Sequence, residues 1–556
     1  QLFTTSLTSM GTKKHARIAE RARRNEIIGC FSMTELSHGS DTEHIQTTAT
    51  YEKGELVFNT PHVGAMKVWC GNLALSANYA VVFAQLHVGG KREGVHGFVI
   101  QVRDEKTHRT LPGIRIGDMG EKPGAWNAVE NGWMVFENYR CSPDALLNKG
   151  CELTEDGRYV HSYKSDRDKK STSLGALSMG RVALIESGVI ACRNAATIGI
   201  RYSAVRQQFG PPTGEGELPI LSYPLQRRRL LPTLAASITM GLFQEKFFDL
   251  FTQFIVRMLG GDKSDEMVEM SKEVHGLSSC CKPRPTWLGA AALAEARAAC
   301  GGHGFLYTSR LNELRDTADP VQTFEGENNI LVQQASNYLI SQKTLGLLTS
   351  PFGSTDFMQT RPSKFSEWRD NSLENVICAY EWLLHYTLQK TESALMEKRL
   401  AGVDTFTARN ETQIDAAHPL AIAYAESTMI KWAAERVEEI EDANCKDVLR
   451  RVVLLFGLSQ LQPHLAHLYI GGYCSNSEFG TRVKEEQIKL EESLSSECVA
   501  LVDAIAPPDF AIASVLGASD GRVYERLVAD LQSREIDRCS FTDDLMEIMK
   551  KNKAKM

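Results

Sequence analysis

The sequence predicts an α+β chain: a central antiparallel β domain, followed by an α-helical bundle and a second, C-terminal α domain. Three observations predict it. From Ile28 to about Leu147, short β-forming runs alternate with Gly and Pro turns. From about Ser171 the pattern becomes that of long helices. Around Ser350 to Pro362 a Pro-, Gly- and Ser-bearing stretch interrupts the helices, which then resume.

Size and composition bound the reading. At 556 residues the chain is too long for one core, and about 150 residues per domain gives three or four. A net charge of -7 argues against nucleic acid or an anionic membrane as the main partner. No apolar run approaches the ~18 residues of a membrane span; the best, Ala80 to Leu86, has strand length. Thirteen cysteines, none in a Cys-x-x-Cys pair, read as reduced thiols of an intracellular protein with no metal site.

Taken in order, residues 1–27 read as the tail of helical material. The β domain is expected over 28–150, with strand patterns at Tyr51–Phe58, Tyr79–Val88 and Gly97–Val102. The bundle is expected over 165–346. Its first helix, Arg181 to Gln208, stops at Gly210-Pro211-Pro212, and a second covers Pro219 to Leu259. A third, Ser271 to Cys300, is interrupted at Pro283 and Pro285, and a fourth follows Glu325 to about Leu345. A linker at 347–372 leads to a C-terminal α domain over 373–547 and a tail at 548–556. Amphipathic helices are expected there at Glu374–Arg399, His418–Glu441, Val448–Leu468 and Val483–Ile505.

The candidate chemistry lies between Arg297 and Ile330. Gly301-Gly302-His303-Gly304 follows a helix, so it is no strand-Gly-helix dinucleotide fingerprint; it is a ligand approach or a helix stop. Glu325 sits on a Gly-flanked turn before a helix. It either offsets the helix dipole or serves as a carboxylate base facing a pocket. The Ser32–Asp41 loop, with Thr34, could bind a heterocycle's edge. Trp69 reads as core or as a cofactor platform. Arg206 suits a helix C-terminus or a phosphate. Arg227, Arg228 and Arg229 read as solvated. No Ser-His-Asp order, Walker loop or His-Glu-x-x-His occurs.

In this order and spacing, Gly29–Ser40, Asn131-Gly132, Arg206–Gly210, Ala299–Phe305, Thr323–Asn329 and Asp503–Phe510 resemble the acyl-CoA dehydrogenase/oxidase superfamily. The resemblance covers nearly the whole chain. It is closest to the peroxisomal acyl-CoA oxidases, and among them to the branched-chain (pristanoyl-CoA) type. It implies an FAD flavoprotein acting on acyl-CoA with molecular oxygen. Glu325 would be the base. Thr34 and Gly71 would contact the flavin, with Trp69 beside its ring. Arg206, Gln208 and Phe209, with Gly301 and Gly302, resemble segments that reach the FAD of a partner subunit, implying a homodimer. Glu327 and Asn329 fall at cofactor positions, and Arg181, Phe324 and Gly326 at substrate positions.

The C-terminal Ala554-Lys555-Met556 resembles a Ser-Lys-Leu address read by the peroxisomal import receptor. There are departures from the family pattern. Most of the N-terminal α domain is missing from this sequence, and Arg227 and Arg228 replace an expected Gln and Trp. Two rival readings stay open: a dehydrogenase that passes electrons to a carrier protein, and a catalytically silent flavin- or acyl-CoA-binding form.

Overall fold

The computed structural model describes residues 2–554 except 155, 163–165, 213, 215, 371 and 537–538, with backbone alone over 166–179. Helices α1 (Leu2–Met10) and α2 (Lys13–Arg23) precede the strands. These are β1 (Gly29–Ser32), β2 (Thr48–Glu52), β3 (Glu55–Asn59), β4 (Lys67–Gly71), β5 (Tyr79–Val88), β6 (Lys91–Gln101), β7 (Ile114–Asp118), β8 (Asn131–Phe136) and β9 (Tyr139–Cys141). The hairpin β10 (Cys151–Leu153) and β11 (Tyr159–His161) follows.

The larger sheet is mixed rather than purely antiparallel. β6 pairs antiparallel with β5, and β3 with β2 and β9. Both β1 and β2, however, run parallel to β5, at Tyr79–Val82 and Gln85–Val88. The apolar run of β5 is explained by burial on both faces. Ala80, Val82, Ala84 and Leu86 face one core, while Val81 and Phe83 face another, built with Phe3, Leu7 and Met10 of α1. A second, antiparallel sheet has the order β4-β8-β7.

The bundle comprises α3 (Asp166–Val205), α4 (Pro224–Leu259), α5 (Asp265–Cys281), α6 (Pro283–Ala299), α7 (Leu311–Ala318) and α8 (Asn328–Thr344). The expected third helix breaks at Lys282, immediately before the Pro283-Arg284-Pro285 segment that starts α6. Where α3 crosses α6 there is no room for a side chain: a Cβ on Gly188 would lie 2.3 Å from the backbone of Pro285. That contact brings the segment of α3 about two turns earlier, with Gly180 and Arg181, over the start of α6. The arginine run is not simply solvated. Arg228 Nε lies 2.9 Å from Glu491 Oε2, and Arg229 pairs with Glu295, because α4 packs between α6 and the C-terminal helices.

Helices α9 (Ser372–Leu400), α11 (His418–Glu438), α12 (Ala443–Leu461), α13 (Leu465–Ile470), α14 (Glu478–Ser493) and α15 (Cys498–Ile505) share one apolar core with the bundle, and α10 (Thr405–Glu411) packs on α9. The expected Val448–Leu468 helix is split by a tight turn containing Pro463, and the expected Val483–Ile505 helix by one at Leu494–Ser496. Short α16 (Asp509–Ile512), α17 (Val523–Gln532) and α18 (Thr542–Lys553) follow. The expected tail thus begins inside α18, and Lys555 and Met556 of the targeting tripeptide lie outside the described residues. Among the described residues one segment, Gly180–Val205, is long and apolar enough to cross a membrane by length and composition. Of its most apolar window, 61% is buried within the fold.

Candidate active site

Glu325 lies on a turn between a tight helical turn (Asp319–Gln322) and α8. Two successive residues carry positive φ, Glu325 at +53° and Gly326 at +109°, so the chain reverses sharply there. The helix-start role open to Glu325 is filled by Glu327, whose carboxylate accepts from the Ile330 N–H at 3.1 Å. Asn329 donates to Glu327 at 2.8 Å, so both are engaged in this cap.

The carboxylate of Glu325 instead packs against α3. A Cβ on Gly180 would sit 2.1 Å from Glu325 Oε2; only glycine admits this approach. Oε2 is buried without a hydrogen-bond partner. Arg181 Nε donates at 3.0 Å to the main-chain carbonyl of Glu325. Lys282, fully buried, donates from Nζ to the Gly326 carbonyl and to Asn328 Oδ1, each at 2.9 Å. Burial raises the pKa of Glu325 above the ordinary carboxylate range, and the charges of Arg181 and Lys282 pull the other way. Burial also lowers Lys282 to about 8, with the Arg181 charge adding to it. The arrangement is a partly desolvated, hydrogen-bond-free carboxylate oxygen, which can accept a proton from carbon.

The β domain docks on this turn through the connection between β7 and β8. Trp126 Nε1 donates to the Thr317 carbonyl at 2.7 Å, and its ring meets Phe324 edge-on at 5.0 Å. β8 in turn pairs with β4, which carries Trp69 and Gly71. The register shifts between Lys67 and Cys70, and Trp69 has φ +60°. This bulge turns the ring outward, 57% exposed, so Trp69 is not a core residue. Thr34 lies alongside, its carbonyl accepting from the Val68 N–H at 3.1 Å. Behind Thr34 is a fully buried ion pair: Glu35 Oε1 lies 3.1 Å from Lys67 Nζ, and Glu35 also accepts from Gln46 and Thr47.

The third group of expected residues gathers at the far ends of α3 and α6. Tyr202 Oη lies 3.0 Å from His303 Nδ1, and Gln226 Nε2 bridges Ser203 Oγ and the Ala299 carbonyl, each at 3.0 Å. Gln208 and Phe209 stand exposed beyond α3, Phe209 at 71%, and Arg206 reaches Tyr524 Oη at 3.5 Å. Gly71, Gly301 and Gly302 all face open space: a Cβ there would meet nothing within 4 Å. Among the described residues no group of His, Cys, Asp and Glu could hold a metal ion.

Arg181, Phe324, Glu325 and Gly326 therefore come together, as do Thr34, Trp69 and Gly71. Sequence reasoning missed Gly180, Lys282, Trp126 and the Glu35–Lys67 pair. The first is a helix glycine beside Arg181, where a close-approach argument could have found it. The others act through contacts between distant segments, which no local spacing records.

The chain matches the family described as acyl-CoA oxidase, C-alpha1 domain, over residues 174–340, and the family described as acyl-CoA oxidase over residues 372–551. It is 50% identical to acyl-coenzyme A oxidase acox-3 of Caenorhabditis elegans, over 99% of this chain and 83% of that protein. It is 38% identical to human peroxisomal acyl-coenzyme A oxidase 3, over 97% of this chain and 79% of that protein. The crystal structure of C. elegans acyl-CoA oxidase-2 bound with FAD, ascaroside-CoA and ATP superimposes with a TM-score of 0.89 at 28% identity, covering 99% of this chain and 82% of that one.

Proposed function

The chain belongs to the acyl-CoA oxidase family, and from that premise we propose that it is an FAD-dependent peroxisomal oxidase. It desaturates acyl-CoA, of the long or 2-methyl-branched kind, to trans-2-enoyl-CoA. The cofactor reading is supported by the FAD in the related crystal structure, and the location by the peroxisomal name of the human relative. The branched-chain preference is supported only by resemblance to the type-3 enzymes.

The observation that carries the mechanism is Glu325 Oε2, buried against Gly180 with no hydrogen bond of its own. Desaturation removes a proton from the substrate's α carbon and a hydride from its β carbon, leaving a double bond between them. Bound FAD would supply the hydride acceptor and the two electrons that, with two protons, convert O2 to H2O2. Glu325 takes the α proton on Oε2, since an oxygen without a competing donor is free to approach a carbon acid. Arg181 and Lys282 fix the main chain of the turn, and their charges oppose the rise in the carboxyl pKa that burial causes. Phe324, against Trp126, walls off water. The family resemblance supports a role for the Glu325 N–H and Gly326 at the thioester end. Thr34, Trp69 and Gly71 take the flavin ring. Gln208, Phe209, Gly301 and Gly302, all exposed, with the half-buried Arg206, suit a cofactor shared across a homodimer.

Glu325→Gln tests this directly. The variant should bind FAD and colour normally while turnover falls by about 10³-fold or more. Peroxide production at parental rates would remove Glu325 from its role. Bleaching of the flavin by acyl-CoA without peroxide on admission of oxygen would favour the dehydrogenase reading instead.

A further inference from the structure

Two cations at the start of α6 reach in different directions. Lys282 Nζ holds the Gly326 carbonyl and Asn328 Oδ1, and Asn328 Nδ2 donates at 3.0 Å to Thr286 Oγ1, one turn along the same helix. The active-site turn is thereby bracketed onto α6. Arg284, two residues on, faces the C-terminal α domain. Its Nε lies 2.6 Å from Oε1 of Glu426, a fully buried residue of α11. The other oxygen of Glu426 accepts from Tyr380 Oη at 2.9 Å and lies 2.8 Å from His464 Nε2. Pro283 and Pro285 restrict the backbone between and beside the two cations, so the segment is stiff.

The charged groups acting on Lys282 are Arg181 from α3 and Glu325 and Glu327 from the turn; Asn328 from α8 adds only a neutral acceptor. We propose that Lys282 is a positioning residue for Glu325. It locks the positive-φ turn through the Gly326 carbonyl, and its positive charge beside the carboxylate favours the ionised form, while the Arg284–Glu426 pair pins α6 to the C-terminal domain. Arg181 shares both actions from the other side, bonding the Glu325 carbonyl and adding its own charge. The assignment rests on the reading of Glu325 as base. Burial lowers Lys282 to about 8, which weakens its charge as pH rises, so the assignment stands on the two hydrogen bonds made by Nζ.

The test compares Lys282→Met, Lys282→Gln and Lys282→Arg as FAD-loaded full chains. Two quantities are followed against pH: kcat/KM, and the protonated-carboxyl infrared band that Glu325→Gln removes. In both neutral variants the acid limb and the infrared titration should move up together by about one pH unit or more, because a nearby positive charge has gone. Lys282→Arg should return both toward the parent. If Lys282→Met does not fold, Lys282→Gln, which keeps a hydrogen-bonding head, carries the same expectation. Coincident profiles in parent and neutral variants overturn the inference. Turnover by Glu325→Gln would sink the base reading beneath it, whereas an inactive Glu325→Gln with unmoved neutral variants sinks only the role of Lys282.

Discussion

Arg181 donates from Nε to the main-chain carbonyl of Glu325 at 3.0 Å, and Glu325 Oε2 is left buried with no hydrogen bond. A guanidinium bonded to the carboxylate itself would have tied up the lone pairs that a proton acceptor needs. Holding the backbone instead fixes the turn and leaves the acid free. Several measurable consequences come from this division.

Gly180→Ala should reduce turnover by about 10²-fold, because the new methyl takes the space of Glu325 Oε2, at 2.1 Å, and shifts the carboxylate. The thermal midpoint should hold or rise slightly, since alanine favours the helix. Steady-state kinetics beside a melting curve separates the two; unchanged kcat would mean that the carboxylate has another productive position.

The acid limb of kcat/KM should lie above the ordinary carboxylate range, since burial raises the pKa of Glu325 and the base works only when ionised. The same shift has a stability sign. A carboxyl whose folded pKa exceeds its unfolded value contributes stability at low pH and loses it as pH rises through the folded value. Glu325→Gln should therefore melt higher than the parent at neutral pH, with the gap closing below the ordinary glutamate value of 4.5. Equal gaps at both pH values would contradict it.

Glu35 and Lys67 are both fully buried and 3.1 Å apart, directly beside Thr34. Glu35→Gln or Lys67→Met alone should cost about 3–5 kcal/mol, by leaving one buried charge uncompensated, while the double variant costs much less. Denaturant unfolding of all four proteins gives the coupling. Additive losses would show that the pair does not act as one.

Arg201, almost fully buried near the end of α3, donates from Nε and Nη2 to Asp503 Oδ1 at 2.9 and 2.7 Å, and from Nη1 to the Gly517 carbonyl at 2.7 Å. Arg201→Met should cost about 2–3 kcal/mol. It should also speed hydrogen exchange across residues 503–517, and Arg201→Lys should recover only part, because an ammonium cannot make the forked contact. Unaltered exchange in that segment would refute the brace.

Much of the architecture was legible in the chain. Gly and Pro punctuation marked the strands, Pro283 and Pro285 marked an interruption in one expected helix that is in fact the start of α6, and the run at Ala80–Leu86 read correctly as a strand, although its burial on two faces required α1 to be in place. The parallel pairing of β1 and β2 with β5 was not legible, because pairing direction depends on which distant segments meet. Trp69 was ambiguous for a related reason. Only the bulge in β4, seen against β8, turns its ring outward.

By itself the sequence determined the family segments, the order of a β region and two helical regions, and Glu325 on a glycine-flanked turn. Tertiary structure decided what that acid experiences. Glu327 takes the helix cap, Gly180 admits the carboxylate, and Arg181 and Lys282 hold its backbone from two other helical segments. The physical reason is that residue spacing sets local conformation, whereas desolvation and field at a side chain come from groups far away in the chain that packing brings within a few ångströms.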